Sequence, residues 1–170
     1  MTTGEHKRVA EPKAGTLPPR ERGILNLIVK VLEGHQIESG VLFDKPQISL
    51  PPNDIANVCR ILKENPRTSF TMLLCIAAVD YKEHIQMVYL LLSMKHQVTL
   101  ALKVNLPYPE PKIPSVSGVW RGADWHEREA HDLFGVHFEQ HPNLSPLLLY
   151  EGFEGFPGRK EFPFHEYKEY

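Results

Sequence analysis

Acidic and basic side chains alternate between aromatic ones in one short run, residues 125–136, which reads Trp-His-Glu-Arg-Glu-Ala-His-Asp-Leu-Phe-Gly-Val. Glu127 with His131, and Arg128 with Asp132, have the four-residue spacing that brings side chains together on neighbouring turns of a helix. The spacing therefore predicts two ion pairs. The ordinary interpretation of such a run is a solvated helix face, because exposed ion pairs contribute little to stability. The aromatic neighbours favour a face that is partly covered.

The ends of this helix are predicted from the same residues. Asp124 followed three residues later by Glu127 fits a capping box, and Gly135 would end the helix. Covered charges need partners, and acids outnumber bases here. We therefore expect Arg159 and Lys160, or another protein, to supply positive charge to this face.

Four histidines lie close together in the sequence and raise the possibility of a metal site. A metal needs imidazoles that converge on one point, as at four-residue spacing on a helix. His126 and His131 are five apart, which separates them by about 140° around a helix axis. A small histidine-dependent metalloenzyme remains an alternative hypothesis, and it would use His126, His131, His137 and His141.

Other kinds of catalytic site have no matching pattern. The serines lie outside a nucleophile elbow, and neither Cys59 nor Cys75 has a basic neighbour in sequence. The chain lacks a glycine-rich phosphate loop, a dinucleotide fingerprint and a Cys-x-x-Cys pair. The sequence thus predicts a protein without an active site of its own.

Composition limits where the protein works and what it binds. The chain has 170 residues, enough for one domain, and a formal net charge of −2, which argues against nucleic-acid binding. No window approaches the roughly 18 apolar residues of a membrane span, and the start does not resemble a signal peptide. We therefore expect a protein that stays on the cytoplasmic side of any membrane.

The elements that must position the charged run indicate an α+β fold, a mostly antiparallel sheet with helices on one face. Three β-rich runs, 69–79, 84–94 and 98–104, are joined by short polar turns, which favour an antiparallel meander. We predict a flexible leader over 1–17, the α+β domain over 18–140 and an extended docking arm over 141–170.

The tail from residue 150 onward carries seven of the sixteen aromatic residues among glycines, prolines and charges. These aromatics follow no strand or helix period, and leaving them in water costs about 25 cal/mol per Å². The tail could fold back over its own domain. An extended arm on a neighbouring protein is the favoured interpretation, with aromatics as anchors. The seven are Tyr150, Phe153, Phe156, Phe162, Phe164, Tyr167 and Tyr170.

Together these blocks resemble a known family. Residues 127–136 read Glu-Arg-Glu-Ala-His-Asp-Leu-Phe-Gly-Val, residues 141–144 read His-Pro-Asn-Leu, and residues 152–163 read Gly-Phe-Glu-Gly-Phe-Pro-Gly-Arg-Lys-Glu-Phe-Pro. Consecutive and in this order, they resemble the C-type subunit of respiratory complex I, the 30 kDa-type subunit family. Ile113-Pro114-Ser115-Val116 and Asp80-Tyr81 also fit.

The resemblance implies a non-catalytic scaffold within a proton-translocating NADH:quinone oxidoreductase. Such a chain binds no cofactor and braces the quinone-site subunit of the D type beside iron–sulfur subunits. NADH, quinone, FMN and the iron–sulfur clusters belong to partner subunits. The resemblance places the subunit interface on residues of the charged helix and the arm: Glu127, Arg128, Glu129, Asp132, Phe153, Phe156, Arg159, Lys160 and Phe162.

Four residues depart from the family pattern. Ser145-Pro146 stands where an arginine pair is usual, Asn143 where aspartate is common, and Phe156 where histidine is usual. These differences put individual ion pairs across the interface in doubt. Homologous subunits occur in membrane-bound hydrogenases and ferredoxin-dependent complexes, which remain alternatives to complex I.

Overall fold

The computed structural model describes residues 16–163, which form three helices and seven strands. The helices are α1 (Pro19–Val31), α2 (Ile55–Glu64) and α3 (Ala123–Phe134), and a 3₁₀ turn at Pro52–Asp54 leads into α2. The strands are β1 (Glu38–Leu42), β2 (Lys45–Ser49), β3 (Met72–Asp80), β4 (His84–Ser93), β5 (Val98–Pro107), β6 (Lys112–Pro114) and β7 (His137–Glu139). The predicted α+β class is confirmed. Most of the predicted leader lies outside the described residues.

Five strands form one sheet in the order β1-β2-β5-β4-β3. The predicted meander is confirmed, because β3 pairs antiparallel with β4, and β4 antiparallel with β5. The sheet is mixed, since β2 runs parallel to β5. β3 begins at Met72 and not at Ser69, because the N–H groups of Ser69 and Phe70 donate to the carbonyls of Asn65 and Leu62 at the end of α2.

One face of this sheet forms the core with the helices. Burial along β4 alternates strictly, so that Ile85, Met87, Tyr89 and Leu91 are buried while the residues between them are only half-buried. The helices contribute apolar residues at helical spacing to the same cluster. They are Ile24 and Ile28 from α1 and Ile55, Val58, Cys59 and Leu62 from α2.

α3 follows this core and is bordered by a second, two-stranded sheet. β6 and β7 are parallel neighbours, and the Ser115 N–H extends the pairing by donating to the Glu139 carbonyl. α3 ends at Gly135, whose φ of +69° is the left-handed conformation that glycine adopts without a steric penalty. The turn places the β6–β7 pair directly beside the end of the helix. Within residues 16–163, no helix is long and apolar enough to cross a membrane.

Replacing Gly135 with alanine should destabilise the fold. A Cβ at this position would lie 2.5 Å from Cζ of Phe156, and the left-handed backbone costs a non-glycine residue about 1–2 kcal/mol. We expect urea denaturation to show a loss of at least that size. Gly118→Ala is the control, since no atom lies within 4 Å of the place its methyl group would take and its φ is not positive. Equal stability of the two variants would contradict the strain at Gly135.

Candidate subunit interface

Glu127 lies in the middle of α3 and is fully buried. Its Oε1 accepts a hydrogen bond from the Val116 N–H at 2.7 Å, and its Oε2 accepts one from the Ser115 hydroxyl at 2.6 Å. The predicted capping box is therefore wrong: α3 starts without a side-chain cap, and Glu127 instead holds the loop that follows β6. The side of α3 that carries Glu127 faces the core. Its carboxylate therefore bonds to the loop and not to the N–H groups at the start of the helix.

Two further ionisable groups lie beside Glu127. His141 Nε2 is buried, 3.6 Å from Glu127 Oε2 and 3.1 Å from Asp124 Oδ1, without the alignment of a hydrogen bond to either. Burial raises the pKa of Glu127 to about 7, and repulsion by Asp124 adds to the rise, while the bonds from Ser115 and Val116 oppose it. Glu127 is thus a structural carboxyl group inside the domain. Its assignment to a subunit interface stays a prediction. A buried Glu127 could act at an interface only indirectly, by fixing the loop after β6.

Asp132, one turn and a half along α3, holds a different segment. Its Oδ2 accepts hydrogen bonds from the N–H groups of Leu147, Leu148 and Leu149 at 2.8, 2.8 and 3.1 Å. Burial by itself would raise the pKa of Asp132, but these three bonds outweigh it and hold the pKa below its usual range. Backbone N–H groups, and not a cation, satisfy this buried charge.

Arg128 binds the same segment from the other side. Its Nε donates to the Ser145 carbonyl and its Nη2 to the Pro146 carbonyl, both at 3.0 Å. Residues 145–149 are thereby held along α3. Arg128 binds their backbone carbonyl groups, and Asp132 binds their backbone N–H groups. The predicted Arg128–Asp132 ion pair is wrong because both side chains bind backbone instead.

The predicted pair of Glu127 with His131 is also wrong. His131 Nδ1 lies 2.9 Å from the Val136 carbonyl, and the loop after β6 occupies Glu127. The four histidines do not converge either. Among the residues that the structure describes, no group of three or more His, Cys, Asp and Glu side chains could hold a metal ion. The metalloenzyme hypothesis has no site in this part of the chain.

The later part of the tail contacts the end of α3. The Gly158 N–H donates to the Leu133 carbonyl at 2.8 Å, and Arg159 Nε donates to the Phe134 carbonyl at 2.8 Å. These carbonyls lack partners within the helix, because the last turn has no following N–H groups. A Cβ at Gly158 would lie 2.8 Å from the Leu133 oxygen, so this approach requires glycine.

Lys160 attaches the tail to the end of β3, and Arg159 attaches it to Tyr108 after β5. The Arg159 guanidinium lies between two rings, 4.8 Å from that of Tyr108 and 4.5 Å from that of Phe156. The Lys160 N–H donates to Asp80 Oδ2 at 2.7 Å. The expectation that Arg159 and Lys160 neutralise the acids of α3 is therefore wrong, because they lie at Asp80.

Asp80 also belongs to this site. The sequence analysis named it only as part of the family resemblance and gave it no role. It is buried, and its Oδ1 also accepts the Lys82 N–H at 2.6 Å. Although burial would raise its pKa, the bonds from Lys160 and Lys82 and the charges of Lys160 and Arg159 hold it below the usual range. An acid ending an apolar strand before a turn was the only available signal.

The remaining predicted interface residues lie along the tail and on α3. Phe153 and Phe162 are half-buried and stack with ring centroids 5.9 Å apart, while Tyr150 meets Phe153 edge to face at 5.3 Å. Glu129 is exposed on α3. Residues 141–163 thus fold back on their own domain, the alternative that the composition favoured less. Phe164, Tyr167 and Tyr170 lie outside the described residues.

The clamped segment leaves large side chains in solvent. Tyr150 is 72% exposed, Trp125 62% and Leu148 61%. The Arg128 guanidinium lies 5.6 Å from the Trp125 ring, so the residue that binds the segment also orders this exposed aromatic. We call Trp125, Leu148 and Tyr150 the aromatic rim. Tryptophan, tyrosine and arginine are the residue types enriched in protein-binding hot spots.

The family model described as "Respiratory-chain NADH dehydrogenase, 30 Kd subunit" matches residues 48–168 of this chain. The chain belongs to this family. The match covers α2, β3 to β7, α3 and the tail, and the resemblance seen in the sequence is confirmed.

Relatives of the 30 Kd subunit family extend the match. The chain is 47% identical over 124 residues to a C-type subunit of NADH-quinone oxidoreductase from Rhizobium meliloti, and the match covers 71% of this chain and 68% of that protein. It is 46% identical to the corresponding C-type subunit from Rhizobium etli, with coverage of 71% and 66%. The chain spans about two thirds of the length of these relatives.

Two solved structures share the fold of this family member. A chain of the archaeal membrane-bound sulfane sulfur reductase complex matches with a TM-score of 0.72 and 28% identity, covering 84% of this chain and 85% of that one. A trypsin-resistant fragment (1–134) of Nqo5 matches with a TM-score of 0.56 and 26% identity, covering 74% and 99%.

Removing the Asp132 carboxylate should release the clamped segment. Asp132→Ala leaves three N–H groups without their acceptor, and we expect a loss of about 1–3 kcal/mol in the free energy of unfolding. Hydrogen exchange at Leu147, Leu148 and Leu149 should accelerate. The neighbouring exposed acid supplies the control, Glu129→Ala, which should change neither quantity. Unchanged hydrogen exchange in Asp132→Ala would show that Asp132 does not hold this segment in place.

Glu127 should make stability depend on pH. Its folded pKa of about 7 exceeds the ordinary 4.5, so the folded state holds the proton more tightly and the free energy of unfolding falls as pH rises between these values. The fall should amount to about 3 kcal/mol at 1.36 kcal/mol per pH unit. Urea denaturation from pH 4.5 to 8 should show this fall in the wild type and in Glu129→Gln, and not in Glu127→Gln. If the free energy of unfolding of Glu127→Gln fell with pH in parallel with the wild type, Glu127 would not be the source of the pH dependence.

Proposed function

We propose that this chain is the C-type subunit of a proton-translocating NADH:quinone oxidoreductase and braces the subunit that forms the quinone site. In this role the chain binds no cofactor. Partner subunits hold NADH, FMN, quinone and the iron–sulfur clusters, and they attach the chain to the cytoplasmic face of the membrane. The observation that carries the proposal is the 47% identity to a C-type subunit over most of the folded chain.

The structure supports a bracing role through the way the tail is held. Arg128, Asp132 and Asp80 bind backbone groups of the tail, and none of these bonds requires a partner. The free chain can therefore present the tail in one conformation before it meets a neighbour. Preorganisation of this kind reduces the conformational entropy lost on binding.

The surface proposed to contact the quinone-site subunit is the aromatic rim. Beside it, a groove of about 180 Å³ runs between α3 and the tail, and its lining includes Asp132, Phe153 and Phe156. A partner side chain inserted there would meet aromatic rings and backbone. Phe153 and Phe156 would then shape the groove, and Phe162 would support Phe153 by stacking on it. Trp125 and Tyr150 would contact the partner directly.

A second candidate function is the equivalent subunit of a different membrane complex. The archaeal sulfane sulfur reductase chain aligns over more of this chain, and with a higher TM-score, than the Nqo5 fragment does. The sequence favours the oxidoreductase, because identity is 47% to a C-type subunit and 28% to the archaeal chain. Hydrogenase-type and ferredoxin-dependent complexes belong to this alternative.

The deciding experiment is a gentle detergent extraction of native membranes through a tag on this chain, with every co-purifying chain identified. NADH-binding, iron–sulfur and quinone-site subunits together would support the proposal. The same core with a nickel-site or sulfur-reducing subunit would move the chain to the second candidate. A chain recovered alone would overturn both.

The aromatic rim should matter for assembly and not for the fold of the free chain. We expect Trp125→Ala to reduce co-purifying quinone-site subunit at least tenfold, as hot-spot truncations of about 1.4 kcal/mol or more would. Phe43→Ala is the matched control, since Phe43 is a 66% exposed aromatic in the turn between β1 and β2. Circular dichroism melting should be unchanged for both.

Removing the tail after Leu149 tests the arm as a whole. The truncated chain keeps the Asp132 clamp but loses the contacts of Gly158, Arg159 and Lys160. We expect loss of the assembled, active complex. Full assembly and activity with the truncated chain would leave the tail without a role in bracing.

A further inference from the structure

His141, which follows β7 and begins the tail, has its side chain inside the domain. The side chain is fully buried, and Nε2 lies 3.1 Å from Asp124 Oδ1 and 3.6 Å from Glu127 Oε2 without an aligned hydrogen bond to either. Buried polar atoms nearly always have a hydrogen-bond partner, so an unpaired nitrogen beside two carboxyl groups indicates a site whose contacts depend on protonation. We call Asp124, Glu127 and His141 the latch cluster.

The imidazole of His141 is neutral in this arrangement. Its Nδ1 accepts a hydrogen bond from the Asn143 N–H at 3.1 Å, so Nδ1 carries no proton. The proton of the neutral ring is then on Nε2, the nitrogen that lies beside the two carboxyl groups. A second proton on the ring would set an Nδ1–H against the Asn143 N–H. An additional proton in the latch cluster therefore belongs on a carboxyl group.

Glu127 can take up that proton and keep its hydrogen bond to Ser115. When Glu127 is ionised, its Oε2 accepts from the Ser115 hydroxyl at 2.6 Å. When Glu127 is protonated, the same oxygen can donate to Ser115 Oγ, because this hydroxyl lies 2.7 Å from Ser117 Oγ and can donate to it instead. Burial and repulsion by Asp124 raise the pKa of Glu127 to about 7, so both states are populated near neutral pH.

The other ionisable groups packed around Glu127 carry no charge near neutral pH. Cys59 of α2 and Tyr89 of β4 are fully buried, and burial, together with the charge of Glu127, raises the pKa of each above its ordinary value. Among the described residues, no lysine or arginine makes an ion pair with Glu127 or Asp124. When Glu127 is ionised, two carboxylates therefore share one imidazole N–H and repel each other.

Residues 140–144 connect β7 to the segment that Arg128 and Asp132 hold. Gln140 has a φ of +61°, a left-handed conformation that has a steric cost for a residue with a Cβ. Gln140, Pro142 and Asn143 are exposed, whereas His141 is buried in the latch cluster and Leu144 packs against the core. The burial of His141 therefore attaches this connection to α3, against the strain at Gln140.

We propose that the latch cluster is a proton-operated latch: while Glu127 holds a proton, His141 stays against α3, and loss of that proton to water releases residues 140–144. Departure of the imidazole lets water reach Glu127, and hydration stabilises the ionised carboxylate. Glu127 then has a lower pKa in the released state than in the closed one. Release should therefore become up to about tenfold more frequent for each pH unit up to about 7, and level off above it. The latch needs no partner subunit, so it does not depend on the proposed function.

Chemical labelling of His141 in the purified full chain tests the latch. Diethyl pyrocarbonate modifies neutral imidazole groups that solvent can reach, and the exposed His137 is the internal reference for the reagent's own pH dependence. The ratio of His141 labelling to His137 labelling should rise at least tenfold from pH 5 to pH 7.5 in the wild type. In Glu127→Gln the ratio should stay low at every pH. Glu129→Gln, which changes an exposed acid of the same helix, should retain the rise.

Asp124→Asn gives a second readout at a side chain that is 34% exposed. Without this charge the pH at which the ratio levels off should move down, because repulsion by Asp124 is one cause of the raised pKa of Glu127. Dilute urea should accelerate labelling of His141 only slightly, since local release exposes little surface, whereas global unfolding exposes much.

Four results would each overturn the proposal. The first is a labelling ratio that does not change with pH in the wild type, and the second is an undiminished rise in Glu127→Gln. The third is an unchanged levelling-off pH in Asp124→Asn. The fourth is a urea dependence of His141 labelling equal to that of global unfolding, because His141 would then become accessible only when the whole domain unfolds.

Discussion

The structure depends on the cost of burying carboxylates. α3 places Glu127 and Asp132 inside the domain, and Asp80 is buried at the end of β3. A buried charge without partners destabilises a fold by several kcal/mol, so each of these acids determines which segment lies next to it. Glu127 binds the loop after β6, Asp132 binds the segment 147–149, and Asp80 binds the tail at Lys160. In all three, a backbone N–H donates to the carboxylate, and the Ser115 hydroxyl also donates to Glu127.

This choice of donor explains how a tail without helix or strand keeps one conformation. Segment 147–149 has no regular backbone pairing, and its N–H groups would otherwise bond to water. Asp132 supplies one oxygen for three of them, and Arg128 binds the carbonyls just before. The segment 145–149 is therefore held against α3 by hydrogen bonds to its backbone. Its large side chains stay available at the surface.

The aromatic rim is an exposed surface that a chain acting alone would leave in water at a cost in free energy. Membership of the 30 Kd subunit family provides a setting in which such a surface could be covered. Among the described residues, no group of three or more His, Cys, Asp and Glu side chains could hold a metal ion.

Much of this could be predicted from sequence, because apolar periodicity and turn residues act locally. They predicted the helices, the β3–β4–β5 meander and the end of α3 at Gly135, and consecutive motifs indicated the family. The partners of α3's charges could not be predicted. Four-residue spacing suggested Arg128 with Asp132, but both bind a segment 15 to 18 residues away. Sequence spacing describes neighbours on one helix, whereas the lowest free energy for a buried charge is decided by whichever backbone the fold brings beside it. Only the tertiary structure decides that.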